Sequence, residues 1–373
     1  MNNLPMTFPD PSAFEAFLKN IDAVMFDCDG VLWVGMKVLP NAPELVKKLR
    51  SMGKKVFFMT NNSTKTRDEF LVKFISLEFE ATLEEIVSTS FLAALHLKEN
   101  NFNKKAYVIG TPGVTKELQA VNIKSLPIGP DIVATDMVTW AADHLDKTSL
   151  DPDVGAVIVG FDHHFSYSKL FKAASYLKDP NCIFIATNTD ESFPSGEKMV
   201  IPGTGSIVNS VKTAAQREPV VMGKPHRIPF DYVRRFHNLD SNRVLMVGDR
   251  ANTDILFGTN CGLHTLLVLS GVTTLQEIQE WSASDFHFDW RMSFSIFFKQ
   301  PKLDFRILSE MPIEITFHTS CVPFAVVMEV PSNIALIVDL HSFTQHELLP
   351  GIRNFKSLLK YRRYLQFSVQ SVK

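Results

Sequence analysis

Val24-Met25-Phe26-Asp27-Cys28-Asp29-Gly30-Val31-Leu32-Trp33 is the stretch whose reading decides the fold. The apolar run from Ala23 to Phe26 reads as a short buried strand. It ends in two carboxylates two residues apart, followed by a glycine. Buried charges are costly unless they are paired or bound to metal. Such an ending belongs at the carboxyl end of a parallel strand, where ligands sit in open α/β sheets. Two converging carboxylates suit a hard divalent cation such as magnesium. They also suit a nucleophile beside an acid/base. A polar turn is the plainer alternative, since Asp-Gly is common after strands.

Further along the chain the same pattern recurs. Lys54 to Met59 reads as a strand running into Thr60-Asn61-Asn62-Ser63-Thr64, with a helix expected from Lys65 to Leu77. Free backbone N–H groups at a helix start, joined by hydroxyl and amide side chains, suit an anion. Capping of that helix by Ser63 or Thr64 is the alternative and needs no ligand. Glu84 to Asn100 reads as helical, and Ile132 to Ala134 as a strand. Ala106 to Ile109, Ala156 to Val159 and Cys182 to Ala186 read as strands that alternate with helices, which favours parallel α/β units. Val220-Val221-Met222 then runs into Gly223-Lys224-Pro225, where a lysine can reach a phosphoryl group as a compact charge. Arg243 to Val247 ends in Gly248-Asp249, with Asp254 five residues later at the opening of a helix, where a carboxylate is also favoured by the dipole. Thr265 to Leu269 reads as a further strand, followed by a short helix to Trp281.

Composition excludes several classes. The chain has 373 residues, a net charge of −2 and no long basic patch, so nothing recommends nucleic acid as a partner. No signal peptide or membrane span is read, and the default is a cytoplasmic protein. Its four cysteines are scattered without CxxC spacing, which indicates neither a zinc site nor a disulfide framework. His163 and His164 are adjacent, and in an extended segment they would point apart, against a shared metal.

Taken in order, the four strand ends carry Asp-x-Asp-Gly, Thr-Asn-Asn, Gly-Lys-Pro and Gly-Asp-x4-Asp. From about Ile21 to Trp281 the sequence resembles the haloacid dehalogenase superfamily of phosphatases. It is most similar to the branch with phosphoglycolate phosphatase, pyridoxal phosphate phosphatase and 4-nitrophenylphosphatase. The resemblance implies a Rossmann-like parallel-sheet core with an inserted α/β cap. The divisions expected are residues 1–103 as the first part of the core, 104–217 as the cap, 218–290 as the second part of the core and 291–373 as an unassigned tail.

The same resemblance implies the chemistry. Asp27 would attack phosphorus and form an aspartyl-phosphate. Asp29 would protonate the leaving alcohol and later take a proton from water. Magnesium would be held by Asp27, the Asp29 carbonyl and Asp249. Thr60, Asn61, Asn62 and Lys224 would bind the phosphoryl oxygens, and Asp254 would support Lys224 or the metal water, or cap its helix. The substrate implied is a small phosphate ester, foremost 2-phosphoglycolate, on the ground that Phe193 stands in the Asn188–Pro194 loop where pyridoxal phosphate phosphatases carry a histidine; ordinary packing of Phe193 is the other reading. Pyridoxal 5′-phosphate, a phosphoprotein substrate and a non-catalytic binding role are the alternatives, and a homodimer through the cap is usual in such relatives. After Trp281 the pattern stops. Asp285 to Phe288 would stand in for a last core strand, and Ile313 to Thr316, Phe324 to Glu329 and Ile334 to Val338 would be strands of a small accessory domain. The preferred alternative is a tail that does not fold, as a mispredicted exon would give.

Overall fold

The strand that ends in the Asp pair, Ala23–Phe26, lies inside a seven-stranded parallel sheet in the computed structural model. The order across the sheet is Met6–Thr7, Trp290–Met292, His264–Val268, Val244–Gly248, Ala23–Phe26, Lys55–Thr60 and Ile86–Ser88. Described residues are 6–7, 11–131, 136–144, 150–193, 199–274, 277, 290–292, 314–318, 325–330, 334–339 and 366–371. Every residue from Ala23 to Phe26 is buried, with Met25 in register between Met246 and Phe57. That explains the unbroken apolar run, because a parallel strand covered on both faces has no polar side. The sheet brings the carboxyl ends of Ala23–Phe26, Lys55–Thr60 and Val244–Gly248 side by side, so three of the four motifs emerge at one edge.

A second parallel sheet runs in the order Val220–Val221, Ile183–Ala186, Val154–Val159, Lys105–Ile109. Helices Pro112–Ala120, Tyr167–Tyr176 and Thr204–Ala215 alternate with its strands. This is the inserted α/β cap. One apolar cluster runs from Met25 and Phe57 through Phe91 and Leu118 to Ile158 and Ile185, so core and cap are packed through shared side chains.

Several expectations change. Glu84 to Asn100 is not one helix: Ile86–Ser88 is an edge strand and the helix is Thr89–Glu99. A three-residue strand shows no usable period, and its neighbours carry strong helical character. Val220–Val221 lies beyond the expected cap boundary at 217, yet it pairs with Ile185 and Ala186 of the cap sheet. The helix after Thr60 starts at Arg67, and its cap is Thr66 rather than Ser63 or Thr64. Thr66 Oγ1 accepts from Glu69 N at 3.2 Å, and Glu69 Oε2 accepts from Thr66 N at 2.9 Å, a reciprocal capping box. The expected strand Ile132 to Ala134 and the segment Asp285 to Phe288 lie outside the described residues, as does nearly all of the expected helix to Trp281.

Residues 1–294 form one compact unit and residues 295–373 a second. In the second, Glu314–His318, Ala325–Val330, Ile334–Asp339 and Gln366–Ser371 form an antiparallel sheet in that order. The first three are close to the strands expected from sequence. Among the described residues, no helix is long and apolar enough to cross a membrane.

Thr66→Ala removes the acceptor for Glu69 N, and loss of such a cap costs about 1 kcal/mol. We expect a lowered thermal midpoint for the variant, with unchanged near-ultraviolet circular dichroism at low temperature.

Candidate active site

Burial of a lysine among carboxylates sets the geometry of the site. Lys224 follows the last cap strand, and its side chain is 3% exposed. Its ammonium lies 2.5 Å from Asp27 Oδ1 and 2.6 Å from Asp254 Oδ1, and donates to Met59 O at 3.2 Å. All three donor positions of an ammonium are therefore used. Burial alone would depress the Lys224 pKa, but Asp254 and Asp27 outweigh it and hold the ammonium more firmly protonated than usual.

Asp27, Asp249 and Asp254 point oxygens into one space, with ligand atoms all within 4.8 Å of one another. Burial raises the Asp27 pKa well above the usual carboxylate range against the pull of Lys224, and Asp254 and Asp249 add to the rise. Asp249 is pushed up to about 7, by burial first and then by repulsion from Asp254. Three carboxylates against one ammonium leave negative charge uncompensated, which is the chemistry of a site for a hard divalent cation. The surrounding backbone leaves room at Asp249. A Cβ on Gly30, whose φ is +93°, would stand 2.5 Å from Asp249 Oδ2, and one on Gly271 would overlap the same oxygen. Asp249 Oδ2 accepts from Val272 N at 2.7 Å, which holds the carboxylate against this glycine wall.

Asp254 serves Lys224 as expected. It sits in the π-turn Ala251–Ile255, where Oδ2 also accepts from Arg250 N at 3.1 Å. Thus the helix-end role and the lysine-supporting role coexist in one carboxylate. Its oxygens also lie in the same cluster as Asp27 and Asp249.

Asn61 differs from the expectation. Its side chain is used by protein: Oδ1 accepts from Lys224 N at 2.9 Å, and Nδ2 donates to Lys224 O at 3.0 Å and to Asp190 Oδ1 at 3.0 Å. An amide so occupied ties the strand end to Lys224 and to the cap loop. Asn62 Oδ1 likewise caps its own turn, accepting from Thr64 N and Thr64 Oγ1 at 2.9 and 2.6 Å. Thr60 Oγ1 accepts from Asn62 N at 3.1 Å and keeps its own hydroxyl proton as a donor.

Sequence reading missed other contacts here. Arg250 donates to Ser192 O at 3.2 Å and pairs with Glu191 at 3.1 Å, linking the Asp249 turn to the cap loop. Phe193 is in a two-residue strand paired with Ile201–Pro202, and its ring meets Phe161 edge-on at 5.0 Å. His163 and His164 do not point apart: the segment is a turn, not a strand, and their rings lie 4.0 Å apart.

Comparison with known proteins bears on the whole arrangement. The profile of the haloacid dehalogenase-like hydrolases matches residues 24–124, and a second HAD-hydrolase-like profile matches residues 221–289. A glycerol-3-phosphate phosphatase of Rattus norvegicus is 42% identical over 285 residues, 74% of this chain and 87% of the relative. Phosphoglycolate phosphatase 2 of Arabidopsis thaliana is 41% identical over 267 residues, 70% of this chain and 87% of the relative. Among solved structures, a p-nitrophenyl phosphatase from Archaeoglobus fulgidus superposes with a TM-score of 0.61 at 28% identity, covering 73% of this chain and 95% of that one.

The raised pKa of Asp249 has a sign. The folded state holds a proton that the unfolded carboxyl releases at about 4. This group therefore favours folding most below that pH, and its contribution is lost as pH rises through about 7. Thermal melts of metal-free protein should fall in midpoint across this window. Asp249→Asn should flatten the fall, and a divalent cation should reverse it in the native chain.

Proposed function

The chain belongs to the haloacid dehalogenase-like hydrolases and is a phosphatase of small phosphate esters, and from that premise we propose magnesium-dependent hydrolysis of a short alkyl phosphate through an aspartyl-phosphate. Glycerol 3-phosphate and 2-phosphoglycolate are the two substrates that fit this reading. They are supported by the names of relatives of nearly equal similarity. Phe193, whose ring meets Phe161, does not decide between them.

The carrying observation is the Lys224 ammonium held between Asp27 and Asp254 beside a third buried carboxylate, Asp249. A phosphate monoester is a dianion and repels an anionic nucleophile, so catalysis rests on positioning and charge neutralisation. The Asp27 side chain, the Asp29 carbonyl and the Asp249 side chain would hold magnesium, which when bound supplies Lewis-acid neutralisation of the phosphoryl charge. Asp27 is buried at a strand end, and its attack forms an acyl phosphate while the ester oxygen leaves. Lys224 counters charge on the phosphoryl group while Asp254 keeps the lysine in place. Thr60 donates its hydroxyl proton to a phosphoryl oxygen, with the Asn61 and Asn62 backbone at the same strand end. Asp29 gives a proton to the leaving oxygen and takes one back from the water that hydrolyses the intermediate.

Phosphate release from glycerol 3-phosphate, 2-phosphoglycolate, pyridoxal 5′-phosphate and 4-nitrophenyl phosphate, with magnesium or with EDTA, tests the proposal. We expect turnover of the two short alkyl esters that EDTA abolishes. Asp27→Asn should lower it by at least about a thousandfold, the scale seen when a covalent nucleophile is removed. Turnover of pyridoxal 5′-phosphate alone would discard the substrate class and keep the mechanism. No turnover from folded protein would sink the enzymatic reading.

A further inference from the structure

The carboxylate of Asp29 is anchored by two residues, Trp33 and Lys73, that have no role in the site described above. After Phe26 the chain makes one tight turn: Leu32 N donates to Cys28 O at 2.9 Å, and Gly30 N donates to Trp33 O at 2.8 Å. That turn returns Trp33 to Asp29, and the indole Nε1 donates to Asp29 Oδ1 at 2.8 Å. Trp33 is fully buried, with Phe74 and Phe79 edge-on to its ring at 4.8 and 5.7 Å, so the indole N–H has a fixed aim. Lys73 comes from the helix Arg67–Ser76. Its ammonium stands 4.2 Å above the Trp33 ring and 3.7 Å from Asp29 Oδ1. Both contacts fall on one oxygen. Among the described residues Oδ2 has no hydrogen-bond partner, and the side chain is 41% exposed, open to a substrate.

We propose that Trp33 and Lys73 are positioning residues for proton transfer by Asp29: they pin Oδ1, and thereby aim Oδ2 at the leaving oxygen of the ester. This rests on the reading of Asp29 as proton donor. In the step concerned, an Asp27 oxygen forms a bond to phosphorus and the bond from phosphorus to the ester oxygen breaks. The electron pair stays on that oxygen, which takes the proton from Asp29 Oδ2 and departs as the alcohol, leaving Asp29 as carboxylate. Water that hydrolyses the aspartyl-phosphate returns a proton to Asp29. A flexible Asp side chain without such anchoring would spend most of its time aimed elsewhere, and poor orientation is costly in rate.

Leaving-group chemistry separates positioning from plain stability. An alkoxide leaves only with a proton, whereas 4-nitrophenolate is a stable anion and leaves without one. kcat/KM covers the steps up to loss of the alcohol, so the later hydrolysis of the intermediate does not enter. Trp33→Phe keeps the ring packing and removes the N–H, and Lys73→Met keeps the aliphatic stem and removes the charge. For whichever of glycerol 3-phosphate or 2-phosphoglycolate the native enzyme turns over faster, each variant should lose about tenfold or more in kcat/KM, while 4-nitrophenyl phosphate stays within about twofold. Lys73→Arg should recover most of the loss. Asp29→Asn is run beside them: selectivity there, but none in folded Trp33→Phe and Lys73→Met, overturns the positioning role and leaves Asp29 as donor. Equal losses on both ester types in both variants also overturn it, since they mark a structural role. No selectivity in Asp29→Asn removes the donor reading and the inference with it.

Discussion

A single ammonium group holds this active site together. Lys224 is buried, touches two carboxylates and a carbonyl, and is reached by the chain only after it has left the cap sheet. Without that cation the Asp27 and Asp254 carboxylates would be buried near Asp249 with nothing to offset them, an arrangement costing several kcal/mol per group. With it, three carboxylates share one ammonium, and burial raises the pKa of Asp27 and of Asp249 above the usual carboxylate range. The residual negative charge suits a divalent cation, and the ammonium suits a phosphate dianion. Structure and chemistry thus draw on one pair of contacts.

Asn61 extends that dependence to the cap. Its amide bridges the main chain of Lys224 and the side chain of Asp190, while Arg250 joins the Asp249 turn to Glu191 and Ser192. The strand ends around Lys224 and Asp249 are tied to the cap loop Asp190–Ser192 at two places. Between these ties the cap can vary where the chain does not touch the cradle, which suits an architecture that keeps one reaction and changes its alcohol. Nearly equal similarity to relatives named for glycerol 3-phosphate and for phosphoglycolate accords with such a division of labour.

Much of this was legible in the sequence, and the limits have physical causes. Asp27, Asp249 and Thr60 follow apolar runs, and one parallel sheet gathers the ends of such runs, so their meeting could be anticipated; Lys224 follows a strand of the cap sheet and reaches them from there. The cap was expected from the family resemblance, not from the composition or spacing of the insert. Asn61 was read as a phosphate donor because an amide beside Thr60 has that chemistry; its actual partners are 129 and 163 residues away and leave no local trace. Trp33 did leave one, standing four residues after Asp29 across a turn punctuated by glycine. Lys73 left none, since its neighbours Phe70 and Phe74 mark only the buried side of its helix. Ile86–Ser88 was lost to length, three residues being too few to show a period.

The wall of hydrogens that Gly30 and Gly271 present to Asp249 has a consequence for mutational tolerance. In most binding sites a small side chain can be enlarged by one methyl, and the neighbouring side chains give way. Here the neighbour is a carboxylate held by a backbone N–H of Val272, and the alternative is to move the chain itself. Any substitution at these two glycines adds at least a Cβ, and at Gly30 the positive φ compounds the clash. The surroundings of Asp249 are therefore intolerant at positions that carry no functional group at all, and a variant screen would find sensitivity at residues that do no chemistry.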